Sequence, residues 1–266
     1  MALSPSVMGI INVTPDSFFP GGRSESVEAA IAQGLAFFDA GVDIVDVGGE
    51  STRPGALDVS ESDELDRVIP VVRALSQHGP VSIDTQKEAV ARAAVAAGAT
   101  VINDVSSTLM GVAGELGVGY VGMHRQGTSR TMQDNPHYDD VVKEVCAFLI
   151  DVAHRATASG VTQLWLDPGI GFGKTAAHNV ALLAHLDEFR AACDELKCGL
   201  LVGTSRKRFL GTLSPSELDV DERLEGSIAT EAWSFLFGAD IVRVHDVDAA
   251  VQLRGLISMP YEEVVA

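Results

Sequence analysis

Polar residues of two kinds stand where short apolar runs of this chain end, and each kind suggests its own chemistry. The first kind comprises Asp84, Asn103 and Asp167, each of which follows one such run. Carboxylates beside a carboxamide can bind the hydrogen-bonding edge of a planar heterocycle. The same groups can hold a divalent metal, or form a satisfied polar layer in the interior. The residues alone leave these three interpretations open.

Cationic residues form the second kind. Arg53 lies in the segment Gly-Gly-Glu-Ser-Thr-Arg-Pro-Gly, and Arg243 and His245 lie in and just after a late apolar run. Two guanidiniums and an imidazole beside a glycine-rich loop can bind a mono- or diphosphate. Because a charge inside an apolar strand needs a partner, an ion pair with a buried carboxylate is the alternative for Arg243. The densest basic run, Ser205-Arg206-Lys207-Arg208, also suggests a phosphate site.

These residues need a scaffold that brings distant parts of the chain together. Eight apolar runs of strand length alternate with segments of helical periodicity, and they end at Asn12, Asp46, Asp84, Asn103, His124, Asp167, Ser205 and His245. Glycines that end a helix before the next strand are predicted at Gly41, Gly98, Gly117, Gly160 and Gly238. The count predicts an α/β fold, a single-domain (β/α)8 TIM barrel over residues 1–266. A doubly wound open sheet is the alternative. In both, ligands bind beyond the C-terminal strand ends, so we expect one polar pocket there.

Three local features need separate interpretation. The segment Gly169-Ile170-Gly171-Phe172-Gly173-Lys174-Thr175 is glycine-rich but lacks the spacing of a Walker A phosphate loop. We interpret it as a mobile loop in which Phe172 covers a flat ligand or closes the barrel mouth. His124 is interpreted as structural rather than catalytic. Pro70, inside a helical pattern from Glu61 to Ser76, predicts a kink or two shorter helices.

Charge and composition restrict the partners and the compartment. The chain has 37 acidic against 19 basic residues and a formal charge of −18, which argues against nucleic acid or an anionic membrane as a partner. No apolar stretch reaches the roughly 18 residues of a membrane span, and the first residues lack the features of a signal peptide. Three cysteines without metal-binding spacing indicate reduced thiols, so we expect a cytoplasmic protein.

With these motifs in view, the chain resembles the dihydropteroate synthases, pterin-binding enzymes of folate biosynthesis. The resemblance covers nearly the whole chain through M-G-I-I-N-V-T-P-D-S-F, V-D-V-G-G-E-S-T-R-P-G, S-I-D-T, I-N-D-V-S, M-H, L-D-P-G-I-G-F-G-K, S-R-K and R-V-H-D-V. It implies a homodimeric TIM barrel that depends on Mg²⁺. The implied reaction joins para-aminobenzoate to a dihydropterin methyl diphosphate and releases diphosphate.

The resemblance also implies a role for individual residues. Those matching pterin-binding positions are Asp84, Asn103, Met123, Asp167, Phe172 and Lys207. Arg53, Arg243 and His245 match positions that hold the diphosphate, and Thr52, Pro54 and Ser205 match positions near the aminobenzoate. Asn12 matches the position associated with Mg²⁺. The residues expected to act in catalysis are Arg53, Lys207, Arg243 and His245.

Two segments depart from the family pattern. After Asp16-Ser17-Phe18 the family commonly continues Ser-Asp-Gly-Gly, whereas this chain has Phe19-Pro20-Gly21-Gly22, which removes an acidic group from the first loop. Ser129 stands where many relatives have proline, which should change loop stiffness more than chemistry. A pterin-binding methyltransferase and a non-catalytic pterin-binding paralogue are the alternative functions. The diphosphate-binding matches and the lack of a D-x-H-x-x-G motif disfavour the methyltransferase.

Overall fold

The computed structural model describes residues 5–13, 23–51, 58–214 and 216–259. Its strands are β1 Ser6–Asn12, β2 Ile44–Gly48, β3 Val81–Asp84, β4 Val101–Asp104, β5 Gly119–Met123, β6 Leu164–Asp167, β7 Gly199–Val202 and β8 Ile241–Val244. They pair in parallel and in chain order, and β8 returns to β1 to close the barrel. The closed barrel predicted from the sequence is confirmed, and the open sheet is excluded.

Helices surround the barrel. In chain order they are α1 Arg23–Ala40, α2 Glu61–Leu75, α3 Glu88–Ala96, α4 Met110–Leu116, α5 Val141–Ala158, α6 Ala176–Ala184, α7 Leu186–Leu196, α8 Arg208–Thr212, α9 Leu224–Leu236 and α10 Val247–Ile257. A short 3₁₀ helix occupies Val220–Glu222. None of the described helices combines the length and apolar content that crossing a membrane requires.

Helix ends agree with the glycine pattern of the sequence. Each of the predicted stop glycines has a positive φ, from 67° at Gly117 to 116° at Gly98. Only glycine adopts these angles without steric cost, so each glycine lets the chain leave a helix and turn into the next strand.

Of the two alternatives expected at Pro70, a kink or two shorter helices, the second is excluded because α2 does not divide there. The helix runs unbroken from Glu61 to Leu75 and begins with Ser60 as its N-cap. Its apolar face, which includes Val68 and Val72, is fully buried against the barrel. Because packing of such a face stabilises a helix more than one hydrogen bond does, the missing proline N–H is tolerated.

Alternation along the strands separates an apolar layer from a polar layer inside the barrel. The apolar layer consists of Met8, Ile44, Val101, Val121, Leu201 and Ile241, with Trp165 packed against it. Residues two positions further along a strand point the same way. The residues at that spacing include Asp46, Asn103, Met123, Asp167 and Arg243. The apolar layer thus supports the side chains of the C-terminal mouth from below.

Candidate active site

Arg243 is the cation at the centre of the barrel mouth. Its Nε donates to Asp46 Oδ2 at 2.6 Å, and its Nη2 donates to Asp84 Oδ2 at 2.7 Å. Burial opposes the charge, but these carboxylates outweigh it and raise the pKa of Arg243. Within the described part of the chain, Nη1 makes no hydrogen bond. One edge of the guanidinium therefore remains for an anion.

Asp46 anchors this arrangement from beneath. It is fully buried, and the oxygen that binds Arg243 also accepts from Asn103 Nδ2 at 2.9 Å. Its other oxygen, Oδ1, has no hydrogen-bond partner among the residues that the structure describes. A buried acceptor in that condition normally finds a donor in water or a ligand.

Asp84 lies beside Asn103 in the register of β3 and β4 and carries a perturbed carboxyl group. Burial raises the pKa of Asp84 to about 7; Arg243 lowers it, and the neighbouring carboxylates Asp46, Glu64 and Asp104 raise it. The group therefore titrates near neutral pH. In its ionised form it accepts hydrogen bonds, and in its protonated form it can donate one.

Asp167 and Lys207 form the opposite wall. Burial raises the pKa of Asp167, although Lys207 and the backbone N–H of Gly169, 2.7 Å from Oδ1, favour its ionised form. Burial lowers the pKa of Lys207 to about 8 despite the attraction of Asp167. The Lys207 ammonium donates to the Ile170 carbonyl and lies 4.6 Å from the centre of the Phe172 ring. Phe172 therefore lies on this wall beside the cation.

Lys174 ties the glycine-rich segment after β6 to the barrel, and the mobility expected of this segment stays a prediction. Its buried Nζ lies 2.9 Å from the Gly169 carbonyl, 3.1 Å from that of Phe172 and 2.9 Å from His124 Nδ1. Burial lowers the pKa of Lys174 to about 7. Burial and the neighbouring charge of Lys174 lower the pKa of His124 to about 3. His124 is thus neutral at physiological pH.

His124 does not enter the polar pocket, so the expectation that every strand end contributes to it is wrong at β5. Its ring packs edge-on against Phe148 of α5, with 5.0 Å between ring centres, and lies 6.0 Å from the Tyr138 ring. The side chain therefore lies between the barrel and its helices. This position agrees with the structural role predicted for it.

The basic run after β7 does not act as one patch. Arg206 binds Asp246 through both carboxylate oxygens, at 3.0 and 2.6 Å, whereas Lys207 enters the pocket and Arg208 is mostly exposed. The Ser205 hydroxyl accepts from the His245 backbone N–H at 3.0 Å and lies 3.3 Å from His245 Nδ1. Ser205 and His245 therefore face each other where β7 and β8 end.

Known proteins match this chain over nearly its whole length. A family model described as pterin binding enzyme matches residues 8–245. The dihydropteroate synthase of Escherichia coli (strain K12) is 45% identical over 261 residues, which cover 95% of this chain and 90% of that protein. The chain belongs to the dihydropteroate synthase family of pterin-binding enzymes.

Solved structures of the family share its fold. Xanthomonas albilineans dihydropteroate synthase with 4-aminobenzoic acid has a TM-score of 0.87 and 46% identity, and the match covers 96% of this chain and 94% of that one. The same enzyme in complex with 7,8-dihydropteroate has a TM-score of 0.84 and 42% identity, covering 98% and 97%. The chain is accordingly an enzyme, a transferase with dihydropteroate synthase activity.

Within this dihydropteroate synthase family member, the structure brings most predicted site residues to one mouth. Asp84, Asn103, Asp167, Lys207 and Arg243 are connected there by contacts or charge. Met123 ends β5 with a buried side chain, and Asn12 ends β1 with an exposed one. Thr52, Arg53 and Pro54 lie outside the described residues, as do Phe19 and Pro20.

Sequence reasoning missed a second charge network in this dihydropteroate synthase family member. Lys87 donates to Glu50 Oε2 at 2.6 Å and to the fully buried Glu64, which also accepts from the Thr85 hydroxyl at 2.7 Å. Glu50 Oε1 accepts from the Val59 backbone N–H at 2.9 Å. The network thereby joins residues on both sides of segment 52–57. Glu64 lies in an amphipathic helix, so only its tertiary partners distinguish it from a surface acid.

Proposed function

We propose that the chain condenses 6-hydroxymethyl-7,8-dihydropterin diphosphate with para-aminobenzoate to give 7,8-dihydropteroate and diphosphate. The observation that carries this proposal is the position of Arg243, which binds two carboxylates of the barrel mouth and keeps its Nη1 for another acceptor. A single pocket can therefore bind a hydrogen-bonding heterocycle and an attached anion at adjacent positions. Solved relatives hold 4-aminobenzoic acid and 7,8-dihydropteroate, which supports aminobenzoate as a substrate and dihydropteroate as the product.

The pterin ring would be bound by the carboxylate wall. Adjacent N–H groups on a heterocycle pair well with one carboxylate, for which Asp84 and Asp167 are placed on two sides of the mouth. Asn103 offers both a donor and an acceptor beside Asp84. Met123 and Phe172 would contact the flat faces of the ring, and Lys207 would donate to a ring acceptor. The buried carboxylates also favour positive charge developing on the pterin methylene.

The diphosphate would be bound by Arg243 and His245, together with Arg53 from the second loop. A guanidinium held by two carboxylates is preorganised, so it needs no rearrangement when negative charge collects on the leaving group. The C–O bond would break largely before the amine attacks. The reaction needs no nucleophilic side chain, because the amine is the nucleophile and the diphosphate is the leaving group.

Mg²⁺ is the proposed cofactor, and the donor set at Asn12 fits it. Among the described residues no group of three or more acidic, histidine or cysteine side chains forms a dedicated metal cage. Mg²⁺ commonly keeps several waters and binds one or two protein oxygens plus substrate phosphates. The Asn12 carboxamide oxygen at the end of β1 matches such a ligand. When bound, the metal would neutralise charge on the departing diphosphate.

The aminobenzoate would bind above the pterin, near Thr52, Pro54 and Ser205. The Ser205 hydroxyl is held beside His245, so the amine would approach next to the diphosphate position. Glu50 and Lys87 support this arrangement because they fix residues that flank the second loop.

A homodimer and a cytoplasmic location complete the proposal. Trp233 and Phe237 stack with 4.7 Å between ring centres, and both rings are substantially exposed beside Leu236, which is 69% exposed. Such an aromatic and aliphatic patch is typical of a surface that a second copy covers. The cysteines are free thiols, the state that the cytoplasm maintains.

One assay tests the function directly. The purified protein is mixed with the pterin diphosphate, Mg²⁺ and para-aminobenzoate, and the release of diphosphate and the formation of dihydropteroate are followed together. We expect the two products in equal amounts and a loss of turnover when a chelator removes the metal. Binding of the pterin without turnover under saturating conditions would contradict the proposal and support a non-catalytic paralogue.

A further inference from the structure

A cavity lies on the same end of the barrel as the candidate active site. Its volume is about 290 Å³, and its walls come from the segments that follow β2, β3 and β5. The side chains that line it are Asp58, Gln86, Arg125, Thr128, Ser129 and Arg130. None of them belongs to the pterin or diphosphate positions assigned above. We refer to this space as the Arg125 cavity.

Arg125 is the exceptional residue of this cavity. Its guanidinium Nη1 is buried and has no hydrogen-bond partner among the described residues, while the side chain as a whole lines the cavity. Burial lowers the pKa of Arg125, and the distant Asp104 offsets this only in part. Buried charges are normally paired, so an unpaired guanidinium carries a desolvation cost that an anion would remove.

Other half-buried arginines of the chain show what Arg125 lacks. Each of four forms an ion pair with a carboxylate; they are Arg190, Arg206, Arg243 and Arg254. The chain has 37 acidic residues against 19 basic ones, so carboxylates are abundant. Arg67 and Arg223, which are also partly buried, donate to backbone carbonyls instead, so Arg125 differs from these arginines in having neither kind of acceptor within the described structure.

The neighbouring polar groups fit an oxyanion. In the described structure, the side chains of Gln86 and Ser129 make no hydrogen bond, so an amide N–H and a hydroxyl remain for a ligand. Arg130 binds Asp58 at 3.0 Å, but both side chains are largely exposed, at 61% and 75%. Such a surface pair contributes little, so Arg130 can exchange Asp58 for a ligand at small cost. The Asp58 carboxylate itself would repel an anion on its side of the cavity.

We propose that the Arg125 cavity is an oxyanion site, in which Arg125 supplies the charge and Gln86 and Ser129 supply hydrogen bonds to a phosphate or carboxylate group. Its ligand class follows from the proposed function, on which this part of the inference rests. Both substrates are anions, whereas the protein carries a charge of −18 and repels them at long range. A local cationic site beside the mouth would raise the concentration of these anions where they enter.

Anomalous scattering from selenate locates the site without relying on turnover. Crystals of the wild type, of Arg125→Met and of Arg92→Met are soaked in selenate. Arg92 of α3 is the matched control because its replacement removes the same charge from two exposed ion pairs, with Glu88 and Glu115. We expect selenate beside Arg125 in the wild type and the control, and none there in Arg125→Met. Selenate confined to the pterin mouth, or retained by Arg125→Met, would overturn the proposal.

Competition then identifies whether the site binds a phosphate or a carboxylate group. Inorganic diphosphate and benzoate are titrated separately against the bound selenate. Displacement at lower concentration by diphosphate assigns the site to the phosphate group, and the reverse assigns it to the carboxylate. Failure of both to displace selenate would contradict a role for the site in substrate entry.

The loss of Arg125 should also change kcat/KM in a way that depends on the salt concentration. At low ionic strength, Arg125→Met should lower kcat/KM severalfold relative to Arg92→Met, and the two variants should converge at high salt because screening removes steering. An equal ratio at all ionic strengths would contradict the guiding role. If turnover is absent but selenate still binds at Arg125, the oxyanion site stands and the proposed function fails.

Discussion

Asp46 Oδ2 lies 2.6 Å from Arg243 Nε, although 197 residues separate the two in sequence. The same oxygen accepts from Asn103, and Arg243 continues to Asp84. Asp46 is completely buried and touches no solvent. It therefore fixes the position of the group that we assign to the diphosphate, while Asp84 couples that group to the pterin position.

Asp46→Ala should destabilise the protein strongly. The change leaves the Arg243 Nε–H and the Asn103 amide without their shared acceptor, and loss of one partner from a buried ion pair costs about 3–5 kcal/mol. Glu115→Ala is the control, since its pair with Arg92 is exposed and such pairs contribute less than about 1 kcal/mol. Urea unfolding measures both. Equal losses in the two variants would show that the Asp46–Arg243 pair is not coupled to folding.

Pterin affinity should fall as the pH drops through 7. The pKa of Asp84 is raised to about 7, so acidification converts its carboxylate into an acid and removes an acceptor. We expect roughly tenfold weaker binding of a free pterin at pH 6 than at pH 8, because one pKa unit corresponds to a tenfold ratio. Asp84→Asn should bind weakly with a flat profile in calorimetry. If Asp84→Asn kept the pH dependence of the wild type, a contact between Asp84 and the pterin would be excluded.

Arg243→Ala should shift that pH profile as well as abolish turnover. Arg243 lowers the pKa of Asp84, so its removal raises that pKa further and keeps the carboxyl protonated at pH 7. Pterin binding should be weak at pH 7 and recover toward pH 9. Diphosphate-dependent turnover should remain lost at both pH values. Recovery of turnover together with pterin binding would show that Arg243 does not act on the diphosphate.

Lys174 should make the stability depend on pH. Its pKa is lowered from 10.5 to about 7, so between these values the unfolded chain binds a proton that the folded chain does not. The free energy of unfolding should then rise with pH across this range, and the gain is lost as the pH falls through 7. Relative to Lys174→Met, the wild type should gain up to about 1.4 kcal/mol per pH unit between pH 7.5 and 9.5.

The control for Lys174 is Lys143→Met. Lys143 is 82% exposed and pairs with Asp140 across one helical turn. Its difference from the wild type should stay nearly constant over the same pH range in urea unfolding. Parallel curves for the wild type and Lys174→Met would mean that Lys174 is not held in an environment that disfavours its charge.

Much of the fold could be predicted because its signals are local. Strand-length apolar runs, helical periodicity and the stop glycines each reflect neighbouring residues, and their number predicted the barrel. The strand ends also predicted most of the side chains that share the mouth, although His124 lies outside it. Pro70 shows the limit of local rules, since α2 continues through it where tertiary packing favours the helix.

The connections of the site could not be predicted in the same way. The pairing of Asp46 with Arg243 depends on β8 closing against β1, and one strand sequence does not contain that information. Lys174 resembles an exposed cation of a glycine-rich loop, yet it is buried because backbone carbonyls bind it. Arg125 showed no signal in the sequence, because its lack of a partner is a property of the folded surroundings.

The most direct test of the account is a crystal structure with the pterin diphosphate and Mg²⁺ bound in the absence of aminobenzoate. We predict the ring within hydrogen-bonding distance of Asp84, Asn103 and Asp167, with phosphate oxygens on Arg243 and His245. Phosphate oxygens at the Arg206–Asp246 pair, with the ring away from Asp84, would contradict it.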